Sequence, residues 1–192
     1  MDTYLVSTLL VALAEMGDRT QLLAIMLASR YRKPAPILAG ILVATLANHM
    51  LAALAGFYVS SLLKAVWFQY LISASFIAMA AWALIPDKEG EDGASDRRGW
   101  GVFLTTVVSF FIVEMGDKTQ IATAALAAKF DNVLVVAAGT TTGMMLANIP
   151  AVLLGHRVTK VLPINALRIG AAILYLGLGL WGLAATAGVV PR

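Results

Sequence analysis

Two copies of one seven-residue motif hold most of the chemistry this sequence can offer. The first is Glu15-Met16-Gly17-Asp18-Arg19-Thr20-Gln21 and the second is Glu114-Met115-Gly116-Asp117-Lys118-Thr119-Gln120. They differ only where Arg19 corresponds to Lys118. Each copy lies inside a long apolar stretch. Of the eleven acidic residues, these motifs hold four; the others lie in the 86–99 segment or, as Asp2 and Asp131, at the edges of apolar stretches. An ionised carboxylate at the centre of a membrane helix costs about 2.5–3.5 kcal/mol on insertion scales. Four of them with two basic neighbours would cost on the order of 10–20 kcal/mol if they met lipid. Burial in a bundle, pairing, water or a bound cation has to offset that cost.

On a continuous helix, at about 100° per residue, Glu15, Asp18 and Gln21 fall within an arc of about 120°. Glu114, Asp117 and Gln120 do the same. Each copy thus presents two carboxylates and an amide oxygen on one face. Thr20 and Thr119 point elsewhere, and join that face only if Gly17 and Gly116 loosen the turn, as glycine permits. Two such faces form an oxygen-rich, sulfur-poor cage suited to hard divalent cations such as Ca²⁺, Mg²⁺ and Mn²⁺. Zinc and copper would recruit cysteine or histidine, but cysteine is absent and the only histidines are His49 and His156. Asn48 and Asn148, in the next apolar stretch of each half, extend the shell. Met16 and Met115 offer a weak thioether contact that favours a transition metal over Mg²⁺.

The expected metal ligands are therefore Glu15, Asp18, Gln21, Asn48, Glu114, Asp117, Gln120 and Asn148. The four acids also carry the protons, because metal and proton compete for the same oxygens. Gly17, Arg19, Thr20, Gly116, Lys118 and Thr119 support them. Each of these roles has a plainer rival. The acids could serve only as structural ion pairs with Arg19 and Lys118, which on either reading tether carboxylates or stand in for the cation. The asparagines could be hydrogen-bond glue between helices, and the methionines core packing. His49, a ligand or proton relay if functional, has no counterpart, since Ile149 stands at the matching place. His156, beside Arg157 at the end of a stretch, reads as interfacial.

The elements that must position these residues follow from composition. The chain has 192 residues, 60% hydrophobic and 13% charged, against about 45–50% and about 25% in soluble domains. Its mean hydropathy is +0.83. A soluble domain this small cannot hide so much apolar surface from water, and disorder, a coiled coil or a disulfide scaffold fit no better. The net charge of +3 does not imply nucleic acid as a partner, because the basic residues sit at the ends of apolar runs and form no patch interleaved with aromatics. A bilayer core takes about 20 apolar residues per helix, and six stretches qualify: 3–29, 35–61, 66–85, 100–128, 133–155 and 163–187. Pro34, Pro36, Pro86 and Pro163 punctuate them. Pro150 alone falls deep inside a stretch, where it frees a backbone carbonyl. Residues 3–29 read as a retained helix rather than a signal peptide, since the chain starts Met1-Asp2-Thr3 with no basic segment. Arg30, Arg32, Lys33, Lys88, Arg97, Arg98, Arg157 and Lys160 fall in loops on one side, and Lys64, Lys129 and Arg192 on the other. The richer side should face the cytoplasm, with both termini outside.

Shifted by 99 residues, the chain matches itself. Besides the motif, Gly40 falls on Gly139, Gly56 on Gly155 and Trp82 on Trp181, and Leu46-Ala47-Asn48 matches Leu146-Ala147-Asn148 after a one-residue slip. Three stretches per unit is an odd number, so the second unit enters the membrane upside down. The expected fold is all-α integral membrane, with six transmembrane helices as two inverted three-helix repeats. The repeats cover 1–85 and 100–192, joined by a charged cytoplasmic linker at 86–99. Inverted repeats with a site at their midplane interface are typical of secondary transporters.

The doubled Glu-x-Gly-Asp-(Lys/Arg)-Thr motif, on the first helix of each of two three-helix repeats, resembles the Gdt-type family of divalent cation/proton exchangers. That family includes bacterial manganese exporters and Golgi manganese/calcium transporters. The resemblance covers essentially the whole chain. It implies export of a divalent cation, Mn²⁺ first and Ca²⁺ second, in exchange for protons, with Glu15, Asp18, Glu114 and Asp117 as the motif acids. It implies no permanently bound cofactor and no enzymatic activity; the partners are the lipid bilayer, the transported ion and protons. The absence of a long N-terminal extension suggests a compact bacterial member in the plasma membrane. The alternatives are an intramembrane aspartyl protease with Asp18 and Asp117 as its dyad, and a passive cation channel.

Overall fold

The computed structural model describes residues 2–62, 66–85, 101–155 and 164–190. The 86–99 linker, Lys64, His156, Arg157, Lys160, Pro163 and Arg192 lie outside them. The described residues form eight helices and no strand: α1 (Thr3–Glu15), α2 (Arg19–Tyr31), α3 (Pro34–Leu62), α4 (Val66–Ala83), α5 (Val102–Glu114), α6 (Lys118–Phe130), α7 (Val133–Leu154) and α8 (Ile164–Thr186). Four of them, α3, α4, α7 and α8, are long and apolar enough to cross a membrane; α1 and α5 are shorter apolar helices.

One expectation fails here. The stretches 3–29 and 100–128 are not continuous helices, because each breaks within its motif. Gly17 (φ 85°) and Gly116 (φ 80°) adopt a left-handed backbone that costs a residue with a Cβ about 1–2 kcal/mol. The breaks are local structures built by the motif itself. Gln21 Oε1 accepts from the Gly17 amide at 3.0 Å, and Gln120 Oε1 accepts from the Gly116 amide at 2.7 Å. The two 13-residue helices after the breaks also end alike, at left-handed Arg32 (φ 52°) and Asp131 (φ 54°), which occupy matching places in the duplication. Asp2 caps α1 by accepting from the amides of Tyr4 and Leu5. Asn132 caps α7 by accepting from the Val135 amide. Pro150 stays within α7.

Small residues set the packing. At Gly139 an added Cβ would lie 2.8 Å from the Tyr4 carbonyl oxygen, and at its repeat mate Gly40 one would lie 3.0 Å from the Phe103 carbonyl oxygen. So α1 lies on α7 as α5 lies on α3. The other glycine pair diverges: Gly56 packs against the backbone of Ala124, whereas Gly155 ends α7 with φ 59° and open space around it. Between α4 and α8, Gly179 approaches Ile77 and Gly182 approaches Ser73. Gly170 makes only ordinary contact with Leu13, and Gly177 faces nothing within 4 Å.

One asymmetry stands out against this duplication. The helices α4 and α8 pack on each other, α4 also along α6 and α8 along α1. The corresponding contacts, α4 with α5 and α8 with α2, are at most slight. Lys129 of α6 sits over the Trp181 ring of α8, 4.4 Å from its centroid.

The buried apolar side chains form two clusters, one including Leu10, Ala53, Phe76, Leu126 and Met144, the other Leu23, Ile37, Ile41, Phe110 and Ala151. Along α3, Asn48 and His49 fall between members of the two; along α7, Asn148 does; and each motif lies between its own pair of helices. A buried polar layer thus divides the core. Outside, large apolar side chains such as Leu5, Leu51, Leu71, Leu134 and Ile173 stand exposed, as a lipid-facing surface requires and a water-facing one does not.

The close glycine contacts predict a stability difference. Gly143→Ala would bring a Cβ to 2.8 Å from the Ala12 amide nitrogen, a backbone atom that cannot swing away. It should cost on the order of 1–3 kcal/mol, read as a lowered thermal midpoint of the detergent-purified protein. Gly177→Ala, with open space around it and alanine the better helix former by up to about 1 kcal/mol, should not lower the midpoint.

Candidate metal centre

The helix breaks bring the acids together. Glu15 ends α1 and Glu114 ends α5, while Asp18 and Asp117 stand at the N-cap positions of α2 and α6. All four are buried, at 1%, 0%, 4% and 4% exposure for Glu15, Glu114, Asp18 and Asp117. Glu15, Glu114 and Asp117 each place a carboxylate oxygen within 4.8 Å of the other two. Ligands on opposite sides of one divalent ion lie about 4–5 Å apart, twice the usual metal–oxygen distance. Asp18 lies within electrostatic reach of Glu114 and Arg19. Acids about a hundred residues apart thus meet at one point, both motifs contributing.

The rest of each motif holds these oxygens in place. The Thr20 hydroxyl donates to Glu15 Oε2 at 2.7 Å. The Thr119 hydroxyl lies 3.4 Å from Glu114 Oε2 and 3.3 Å from Asp117 Oδ2. The threonines reach the acids because the glycines loosen the turn, the condition that an ideal helix does not meet. The two basic residues diverge. Arg19 crosses to the other motif, its Nη2 lying 2.8 Å from Asp117 Oδ1. Lys118 turns to the end of α4, where its ammonium lies 3.5 Å from the Ile85 carbonyl oxygen and 5.8 Å from the centre of the Trp82 ring. Gln21 and Gln120 spend their amide oxygens on the glycine amides. Gln21 also donates to the Ala147 carbonyl in the stretch of α7 that Pro150 loosens.

Several buried oxygens have no hydrogen-bond donor among the described residues. They include Glu15 Oε1 and Glu114 Oε1, and the Oδ1 atoms of Asn48 and Asn148. The amide nitrogens of those asparagines are engaged: Asn48 donates to the Phe111 carbonyl, and Asn148 to the Met144 carbonyl and its sulfur. Glue and oxygen donor are thus compatible roles for one side chain. Unmet acceptors in a cluster of carboxylates are what a hard cation satisfies. His49 is fully buried on α3, neither ring nitrogen having a partner among the described residues. Met16 is half-buried and Met115 is 59% exposed, so neither thioether is packed into the cluster as the acids are.

Two residues escaped the sequence reading. Tyr175 and Arg168, both on α8, line a cavity of about 20 Å³ together with Gly17, Asp18, Trp82 and Lys118. The duplication could not flag them, because their counterparts, Phe76 and Gln69, repeat neither hydroxyl nor charge. The available signal was a single arginine and a single tyrosine inside the last apolar stretch.

The family model described as "Divalent cation/proton antiporter GDT1" matches residues 3–91 and 102–188. A protein of Vibrio cholerae serotype O1 named "Putative manganese exporter" is 48% identical over 178 residues, 92% of this chain and 88% of the relative. A GDT1-like protein of Synechocystis is 29% identical over 189 residues, 88% of this chain and 90% of the relative. No solved structure matches the chain significantly. A duplicated acidic motif converging on one buried point within an apolar helical chain, together with a family match over nearly its whole length, makes this chain a member of the GDT1 family of divalent cation/proton antiporters.

Proposed function

We propose that this chain exports a divalent cation, Mn²⁺ first and Ca²⁺ second, from a bacterial cytoplasm in exchange for protons. The observation that carries this reading is the meeting of Glu15, Glu114 and Asp117, acids of both motifs, at one buried point. Asp18, Gln21, Asn48, Gln120 and Asn148 complete the ligand set, the two glutamines also holding the breaks that shape it. Proton and metal compete for the same carboxylates, and that competition couples their movements.

The architecture proposed is six spans in two inverted repeats, 1–85 and 100–192, with a cytoplasmic linker at 86–99 and both termini outside. In it α1–α2 and α5–α6 each make one broken span. Twenty-six helical residues reach about 39 Å at 1.5 Å per residue, enough for a hydrocarbon core of about 30 Å. Broken helices at membrane depth are tolerated where they line a polar cavity. Their C-terminal ends carry partial negative charge that favours a cation there.

The packing asymmetry supports a direction of access. On this topology α1 and α6 are outer half-spans, and α2 and α5 inner ones. The α4–α8 pair packs along α1 and α6, which closes the outer side and leaves the site approachable from the cytoplasm. Rocking the pair onto α2 and α5 exchanges the roles of the two repeats and opens the site outward.

The metal choice rests on the oxygen-rich donor set and the name of the Vibrio relative. Mg²⁺ keeps its water shell and prefers one or two carboxylates, so it fits poorly where several converge. The exposure of Met115 means that the thioethers add little.

Three outcomes are expected. In vesicles reconstituted with the purified protein, an imposed pH gradient should drive Mn²⁺ uptake more strongly than Ca²⁺ uptake, and Mg²⁺ uptake least. A Ca²⁺-first order would replace the metal but keep the exchanger. Glu15→Gln, Asp18→Asn, Glu114→Gln and Asp117→Asn should each cut the rate at least about 100-fold, beyond the 10–100-fold typical of an outer-shell partner. Normal transport by two or more of them would refute the site. An aspartyl protease would instead need only Asp18 and Asp117, and no metal. Finally, tags after Arg192 and within 86–99 should report opposite sides of the membrane, the linker being cytoplasmic; both on one side would sink the six-span arrangement.

A further inference from the structure

A second cavity, apart from the acids, lies where α4, α6 and α8 meet. Its volume is about 190 Å³, against the roughly 10–15 Å³ that one water needs, so a polyatomic group fits in it. Gln69 and Ser73 line it from the start of α4, Lys129 from the last turn of α6, and Trp181, Gly182 and Thr186 from the end of α8. Both α4 and α8 are long and apolar enough to cross a membrane, and α6 ends just before a third such helix, α7. The cavity therefore sits at one end of the bundle, at the depth of lipid headgroups. Trp67 and Tyr70, exposed near the start of α4, are the aromatic residues typical of that level.

Lys129 gives the cavity its charge. A lysine in the last turn of a helix ordinarily serves that helix's own terminal carbonyls. Among the described residues Lys129 makes no such bond. It is half-buried and reaches across to α8, where its ammonium stands over the Trp181 ring. Gly182 leaves the room for it: an added Cβ there would meet Ser73 Oγ and lie 2.8 Å from Lys129 Nζ. The repeat mates of Gly182 and Ser73 are Ala83 and Ala172, so the duplication does not account for this pocket. The hydroxyls of Ser73 and Thr186 are engaged, donating to the carbonyls of Gln69 and Gly182. No carboxylate pairs with Lys129 among the described residues, Asp131 two places on included. What is left to meet a ligand is an ammonium, which offers three donors and no acceptor, with the exposed Gln69 at the edge.

We propose that this cavity binds the phosphodiester headgroup of an anionic phospholipid, with Lys129 as its counter-ion. The charges are complementary, and basic pockets between membrane helices are a known form of lipid headgroup site. A lipid rather than a free phosphate is the occupant, because the lining residues adjoin apolar side chains that stand exposed, Tyr70 and Leu71 on α4 and Leu180 on α8. These offer acyl chains a surface that runs on from the cavity. One molecule touching three helices favours the folded arrangement that holds them together, so its binding registers as added stability. The proposal goes beyond the exchanger: it needs these helices to cross a membrane and asks nothing of the cation site.

The test uses the full chain, purified in detergent and stripped of lipid. Its thermal midpoint is followed as dioleoyl phosphatidylglycerol is added in mixed micelles, and bound lipid is counted by native mass spectrometry. The midpoint should rise and saturate as a single lipid is retained per chain. Lys129→Met keeps the stem and removes the charge, and should weaken the apparent affinity about 10-fold or more, the scale of a lost charge-assisted hydrogen bond. Lys129→Gln should act alike, and serves if the methionine variant does not fold. Lys33→Met removes an exposed charge between α2 and α3 and should leave the affinity unchanged; an equal loss there would make the attraction a general one and refute the site. Dioleoylglycerol, which lacks the phosphate, should not raise the midpoint, and neither should inorganic phosphate. Inorganic phosphate acting as strongly, through Lys129, would put a free anion in place of the lipid and overturn the proposal. A lipid response that ignores Lys129, in protein that still exchanges Mn²⁺ for protons, would remove this site and leave the exchanger standing. A Lys129-dependent response without pH-driven Mn²⁺ uptake would do the reverse.

Discussion

Negative charge buried in an apolar medium is the constraint from which the rest of this structure follows. Carboxylates within 4.8 Å of one another repel strongly where water is scarce, and Arg19 is the one basic group paired with them at hydrogen-bonding distance among the described residues. The fold answers with local structure. Each motif breaks its helix, so that glutamate, threonine and aspartate converge instead of spiralling apart. Each glutamine restores a hydrogen bond that the break removes. Asn48 extends the same repair to α5: it donates to the Phe111 carbonyl, which the end of the helix leaves without its usual intrahelical partner, since the Met115 amide bonds to Ile112 instead. The two apolar clusters lie on either side of this polar layer and press it together from both directions.

Much of this was legible in the sequence, for reasons that can be named. The acids stood out because an ionisable group inside twenty apolar residues is expensive, and their duplication ruled out accident. Gly17 and Gly116 hinted at a loosened turn. The hint became a break because the glutamines four residues on could satisfy the glycine amides, an interaction that ideal helix geometry gives no reason to expect. The same geometry placed Gln21 and Gln120 on the acidic face as oxygen donors; with the backbone broken, each oxygen also accepts from the glycine amide four residues back. Gly40 and Gly139 do the same work in the two halves, whereas Gly56 and Gly155 do not, because one lies in the middle of a helix contact and the other ends a helix. Identity of residue does not guarantee identity of role when the neighbouring elements differ.

What the sequence could not convey was the departure from symmetry. Periodicity and repeats report what two halves share, and a conformer is defined by what they do not. The packing of α4 along α6 and of α8 along α1, the crossing of Arg19 to Asp117, and the hydroxyl of Tyr175 opposite the bare ring of Phe76 all belong to that second category. They depend on distances between elements, which no spacing along the chain encodes.

The contact of Lys129 with Trp181 has a meaning of its own on the proposed route. Many protein closures are held by a lysine and a carboxylate, and such a latch beside a divalent metal would be a trap: each time it opened, the acid would be bare and the departing ion could bind it. An ammonium on an indole face joins α6 to α8 with no acid to expose. The attraction is only about 0.5–2 kcal/mol, weak enough for thermal motion to undo. A contact of this kind can part and re-form as the helices shift, and at no point does it bare a carboxylate.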